Sequence, residues 1–399
     1  MERAGNECLE GAKNVLYECL NAQPDEKVLI VRSPPSISIP GLMTASSILW
    51  WCRVADSLNL NCERALSNLM RDRLIIEDAL RKAAEERGCV TFLKTIDTSK
   101  LLDEHFFWKN KNSAKKLLST MGLADVIIDL TLFGLDQLPP SKRSRDPLFS
   151  LRDEARKHSE ARGVDLHLAS RSSFTKGGAM CFNLGSIIKE LKLFKEIIQK
   201  SPYLTLKSDG TDLRLNIHED KVDSGTGIIH KPKGWHFLPS GVIFAPVRVV
   251  GTWGSVTLDG PIYGLGSISD YPLQLKIPPG TGRIEEDLQF ADNTPTHIKE
   301  LITEMFKIRE CGHIAEVVIG FNSCARKNSV EPMEFYVARG NVTIALGRND
   351  HIGGEISPTD PTKPSVHIHA SVSNPTLTLS NGTEIVRRGK IVGLGKEKR

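Results

Sequence analysis

Leu184-Gly185-Ser186-Ile187-Ile188-Lys189-Glu190-Leu191-Lys192-Leu193-Phe194-Lys195-Glu196-Ile197-Ile198-Gln199-Lys200 is the stretch on which the reading of the fold turns. Leu184, Ile187, Ile188, Leu191 and Phe194 recur at helical spacing and share one face, and Ser201-Pro202 stops the helix. The texture differs on its two sides. Before it, short β-branched apolar runs (Val28 to Val31, Val90 to Ile96, Ala124 to Leu130, Val164 to Ala169) alternate with helical patterns such as Ile75 to Glu86. Runs of this kind predict buried strands of an open, mostly parallel α/β sheet with crossover helices. After it, Tyr203 to Leu206 and Thr211 to Ile217 flank Ser208-Asp209-Gly210 as a hairpin, and short strands with glycine-rich turns follow, interrupted by one helix over Thr296 to Ile308. The expected organisation is an α/β scaffold or oligomerisation domain over residues 1–200 and a mainly β, α+β catalytic domain over 201–399.

The composition agrees with two packed cores. Of 399 residues, 40% are hydrophobic and 25% charged, which excludes a disordered chain or a coiled coil. Lys plus Arg exceeds Asp plus Glu by 52 − 48 = 4, and the surplus is scattered, so a dedicated nucleic-acid binder is not expected. The longest apolar stretches, Ser46 to Cys52 and Val242 to Val250, fall short of the roughly 20 residues of a membrane span. Met1-Glu2-Arg3 leads into a polar helix rather than a secretory signal, and the eight cysteines include no CxxC, so reduced thiols in a cytoplasmic protein are expected. Neither GxGxxG nor GxxxxGK[ST] occurs, so the first domain carries no nucleotide fingerprint. Apolar patches such as Ile48 to Trp51 point to a homo-oligomer, and Phe106-Phe107-Trp108 to a lid or an interface.

The histidines are unevenly placed, with eight of the 11 beyond residue 200. In Ser365-Val366-His367-Ile368-His369-Ala370-Ser371-Val372, strand alternation sends His367 and His369 to one face, where two imidazoles can ligate one metal ion or simply face water. His313 precedes the apolar run Val317-Val318-Ile319. Glu316, three residues on, shares its face if the stretch is helical and opposes it if extended. Either residue also has an ordinary reading, as a core histidine or a surface charge. Gly347-Arg348-Asn349-Asp350-His351-Ile352-Gly353-Gly354-Glu355 permits a tight loop or close approach of backbone to a ligand. Gly234-Trp235-His236-Phe237-Leu238-Pro239-Ser240-Gly241 sets a histidine and aromatics ahead of a strand.

Taken in order, Pro239 to Phe244, Gly312-His313-Ile314, Gly347 to Gly354 and His367-Ile368-His369 resemble the superfamily shared by M29-type aminopeptidases and 2,5-dihydroxypyridine 5,6-dioxygenases, over residues 205 to 395. Of six ligand positions in the peptidase pattern only Glu316 and His367 remain: Val242, Thr343, Asp350 and His369 stand where that pattern has Glu, His, Tyr and Asp. The dioxygenase pattern matches at His313 and His367, with His369 in place of its Asp. This resemblance implies a mononuclear non-haem Fe(II) dioxygenase with His313, His367 and His369 as ligands and Glu316 as a possible further one. Three neutral ligands would favour an anionic chelating substrate, a hydroxy-aromatic or heteroaromatic ring, taken with dioxygen. His236 and His351 are the expected proton carriers, and His236, Ser240, Gly353 and Gly354 the expected substrate contacts. The alternatives are a hydrolase holding Zn(II) or another divalent ion through His313, Glu316 and His367, and a non-catalytic binding protein.

Overall fold

The computed structural model describes residues 2–32, 62–95, 118–131, 156, 159–166, 170–262, 266–327, 332–357 and 367–392. Ile48 to Trp51, the segment 33–61 around it, and Phe106 to Trp108 lie outside the described residues. The chain forms two compact units, Met1–Leu184 with Gly227–Ser240, and Gly185–Thr226 with Gly241–Arg399.

Among the described residues, the first unit is built on five parallel strands: β1 (Lys27–Arg32), β2 (Val90–Thr95), β3 (Val126–Leu130), β4 (Arg162–Asp165) and β5 (Trp235–Phe237), in the order β2-β1-β3-β4-β5. Every residue of β3 is buried, Asp129 included, as expected of a strand covered on both faces. Helix α1 (Cys62–Arg87) turns Ile76, Ala79, Leu80, Ala83 and Ala84 inward at helical spacing. The α/β class read from the alternating runs is the one observed.

The division of the chain differs from a cut at residue 200 in two ways. Helix α2 (Leu184–Ile198) belongs from Gly185 onward to the second unit, because its apolar face seeks a core there. Ile187, Leu191, Phe194 and Ile198 are buried, the Phe194 ring lies 5.1 Å from that of Phe321, and Glu190 pairs with Arg339. The chain then returns to the first unit for Gly227–Ser240, where β5 adds the fifth parallel strand, with Val164 opposite His236. Gly163 makes room for it: a Cβ there would lie 2.1 Å from a carbon of the Trp235 ring. Three residues are too few for a periodic signal, so this strand was invisible in the sequence.

The second unit is antiparallel. Among the described residues one sheet has eight strands and contains the hairpin Tyr203–Ser208 and Thr211–Asn216, which turns at Gly210 with φ 67°. The other has seven, and its centre carries β6 (Val242–Pro246), β7 (Ile314–Gly320), β8 (Val342–Gly347) and β9 (His367–Val372) in the spatial order β9-β8-β7-β6. All of β7 and β8 is buried.

Candidate metal centre

Register explains why three polar side chains meet on this sheet. On β9, His367 lies opposite Gly347 and His369 opposite Ala345. Residues directly opposite in an antiparallel pair share a face, so both imidazoles stand above the two smallest side chains of β8. On β7 the pairing slips: Ile314 lies opposite Leu346, yet Glu316 lies opposite Ala345. Ala315 is therefore a bulge. A regular strand would have set Ala315 against Ala345 and turned Glu316 to the other face, whereas the extra residue brings Glu316 into line with Ala345 and His369. Asn349, fully buried, holds the bulge: its amide donates to the carbonyls of Ala315 and Val247, each at 2.9 Å, and its Oδ1 accepts from Ile356 N at 2.7 Å.

Glu316, His367 and His369 each offer a ligand atom within 4.8 Å of the others, and they form the one such His, Cys, Asp or Glu group among the described residues. Glu316 is only 3% exposed. His367 Nδ1 donates to the Arg348 carbonyl at 2.7 Å, and its Nε2 stands 3.1 Å from Glu316 Oε2. His369 Nε2 is 3.9 Å from the same oxygen, while its Nδ1 is buried without a hydrogen-bond partner.

Two more rings extend the set. Tyr336, on the short helix α3 (Pro332–Val337), meets His369 edge to face at 4.7 Å, His369 meets His367 at 4.8 Å, and His367 meets His351 at 4.7 Å. Burial, followed by the neighbouring His367 and Arg348, pushes His351 down to about 3. Burial and the adjoining His367 and His351 hold His369 well below the usual imidazole range. The Tyr336 phenol is raised well above its ordinary value by burial and by the Glu316 carboxylate.

The residues singled out in the sequence are thus distributed over both units. His367, His369 and Glu316 come together, with His351 beside His367. His313 lies outside the group. Its carbonyl accepts from Gly347 N at 3.2 Å, its Nδ1 donates to the Gly282 carbonyl at 3.0 Å, and burial lowers its pKa. His236, exposed on β5, and Ser240 belong to the first unit. Gly353 closes the turn Asp350–Ile352 with φ 88°, and a Cβ on Gly354 would lie 2.2 Å from Asn349 Cγ, so both glycines serve the loop that carries His351. Tyr336 and the Ala315 bulge had no signal in the sequence, whereas Asn349 lay in a stretch already marked by its glycines.

A parallel α/β unit followed by a two-sheet antiparallel unit is the two-domain fold of the M29-type and dihydroxypyridine dioxygenase structures. In particular, the chain is similar to 2,5-dihydroxypyridine dioxygenase from Pseudomonas putida KT2440, at TM-score 0.65 and 13% identity over 96% of this chain and 97% of that one. It is also similar to wild-type AmpT from Thermus thermophilus, an M29 aminopeptidase, at TM-score 0.56 and 12% identity over 97% and 99%. No family model and no curated protein matches the chain. No helix among the described residues is long and apolar enough to cross a membrane.

Proposed function

We propose that this protein is a mononuclear non-haem Fe(II) dioxygenase that acts on a small chelating hydroxy-aromatic or heteroaromatic substrate, with Glu316, His367 and His369 as the metal ligands. The observation that carries the reading is the contact between His367 and Glu316. A carbonyl can only accept, so the Arg348 carbonyl fixes the His367 proton on Nδ1 and leaves a lone pair on Nε2, aimed at a carboxylate oxygen 3.1 Å away. Two acceptors at that distance repel unless a cation joins them. A proton would do so, and so would a divalent ion, for which the buried carboxylate, the second imidazole and the unpartnered Nδ1 of His369 are suited.

Two histidines and one carboxylate on one face are the donor set of non-haem Fe(II) oxygenases. Glu316, on β7 across β8 from His369, replaces the charge missing where His369 stands, so the site retains one negative ligand. When bound, the ferrous ion supplies open positions for dioxygen and for the chelating pair of the substrate. The protein groups hold and orient. The Arg348 carbonyl fixes the His367 tautomer, and Asn349 fixes the bulge that aims Glu316. With a pKa of about 3, His351 is neutral at physiological pH, and offers the substrate a hydrogen bond or a transient proton acceptor rather than a stored proton.

A second ligand set also has an observation behind it. His313 is anchored through Nδ1 on a carbonyl just as His367 is, which leaves its Nε2 for a metal, as in the dioxygenase pattern. A divalent-metal hydrolase remains the alternative activity and would hold zinc in the same donors. Protein purified without oxygen is expected to contain one iron per chain and to consume oxygen with 2,5-dihydroxypyridine. Stoichiometric zinc, or iron without oxygen uptake on any chelating aromatic, would abandon ring cleavage.

A further inference from the structure

We propose that Tyr336 is a substrate-contact residue, its hydroxyl donating a hydrogen bond to an oxygen of the chelating substrate; this deepens the metal-centre reading and rests on it. The ring is fixed by its edge-to-face contact with His369 at 4.7 Å and 81°, which places the phenol at one end of the ring series, beyond the metal donors. Its backbone is held on both sides. Asn341 Nδ2 donates to the Phe335 carbonyl at 2.9 Å, and Asn322 N donates to the Val337 carbonyl at 2.9 Å. Two residues earlier, the fully buried side chain of Glu334 grips the Arg326 guanidinium through both its oxygens.

Against this fixation, the hydroxyl itself makes no hydrogen bond to any described residue, and Tyr336 is only half-buried. A phenol held this firmly by ring and backbone, with its ring against the His369 imidazole and its donor left over among the described residues, is ready to meet a ligand. The chemistry selects the ligand. Chelating hydroxy-aromatics carry phenolate-like oxygens with lone pairs to spare after coordination, and hydrogen bonds to charged acceptors are the stronger ones. His351 stands at the opposite end of the same series, so the two ends offer polar contacts on either side of the donors.

Tyr336→Phe removes the hydroxyl and keeps the ring on His369. Iron content and an anaerobic visible titration with 4-nitrocatechol, a chromogenic chelator, are measured for both proteins loaded with Fe(II), with thermal denaturation as the check on folding. The variant is expected to hold iron at the wild-type stoichiometry and to bind 4-nitrocatechol about 3- to 10-fold more weakly, the range for loss of one hydrogen bond. Unchanged 4-nitrocatechol affinity with iron retained overturns the proposal. Loss of iron in the variant overturns it too, because the hydroxyl then serves the metal site. Failure of the underlying reading is recognised separately: the wild-type protein would take up no iron and give no chelator band.

Discussion

His313 and His367 begin alike and end differently. Each donates from Nδ1 to a backbone carbonyl, Gly282 at 3.0 Å and Arg348 at 2.7 Å, and each therefore presents Nε2. The Nε2 of His367 meets a buried carboxylate at 3.1 Å, whereas His313 lies outside the group that gathers around Glu316. Anchoring an imidazole prepares it for a metal, and the carboxylate beside it supplies the reason for a cation to be there. The test that most directly breaks this contrast is metal affinity. Replacing His367 with Ala, or Glu316 with Gln, is expected to weaken Fe(II) or Zn(II) binding on the order of 100-fold or more, a larger loss than those seen when outer partners of ligands are removed. His313→Ala is expected to change it by no more than about 3-fold while losing one hydrogen bond, about 1 kcal/mol. Equal losses in all three, measured by calorimetric titration of metal-free protein, would make His313 a ligand and return the site to the set implied by the dioxygenase pattern.

The next effect falls on stability. Asn349→Ala leaves the carbonyl of Val247 and the amide of Ile356 without their partner in a buried place, and the Ala315 carbonyl with only its bond from Val247 N, an expected loss of about 3 kcal/mol in urea unfolding. Metal affinity should fall as well, because the bulge that aims Glu316 loses its tie. A variant that unfolds more easily yet binds metal as tightly as wild type would detach the bulge from the site.

How much of this was legible in the sequence follows from the range over which each signal acts. Alternation is local, so the shared face of His367 and His369 could be read directly from residues 367–369. The fold class was legible for the same reason, in the contrast on the two sides of Leu184. The role of Glu316 was not: neither a helix nor a regular strand describes the segment, and a bulge is set by pairing with β8, a strand some 30 residues away in sequence. Tyr336 and the return of Trp235–Phe237 to the parallel sheet depend likewise on long-range packing, against His369 and over Gly163. Glu316 was a candidate ligand in the sequence, but its alignment with His369 is decided by the bulge at Ala315.

The smallest expected effect concerns pH, and it separates a proton from a metal as the cation in the site. In the metal-free protein His351 titrates at about 3 and His369 well below its ordinary value, whereas both titrate near 6.5 in the unfolded chain. Between those values the unfolded state binds protons that the folded state refuses, so stability falls as pH is lowered from 6.5 toward 3. The urea midpoint should therefore be lower at pH 5.0 than at pH 7.5, and His351→Gln should shrink that difference. Loading with Zn(II) should steepen the dependence, because protons then compete with the metal for His367 and His369 as well. A midpoint whose pH dependence is the same with and without zinc would mean that the cation between His367 and Glu316 is a proton, and that this pair is an ordinary buried ion pair.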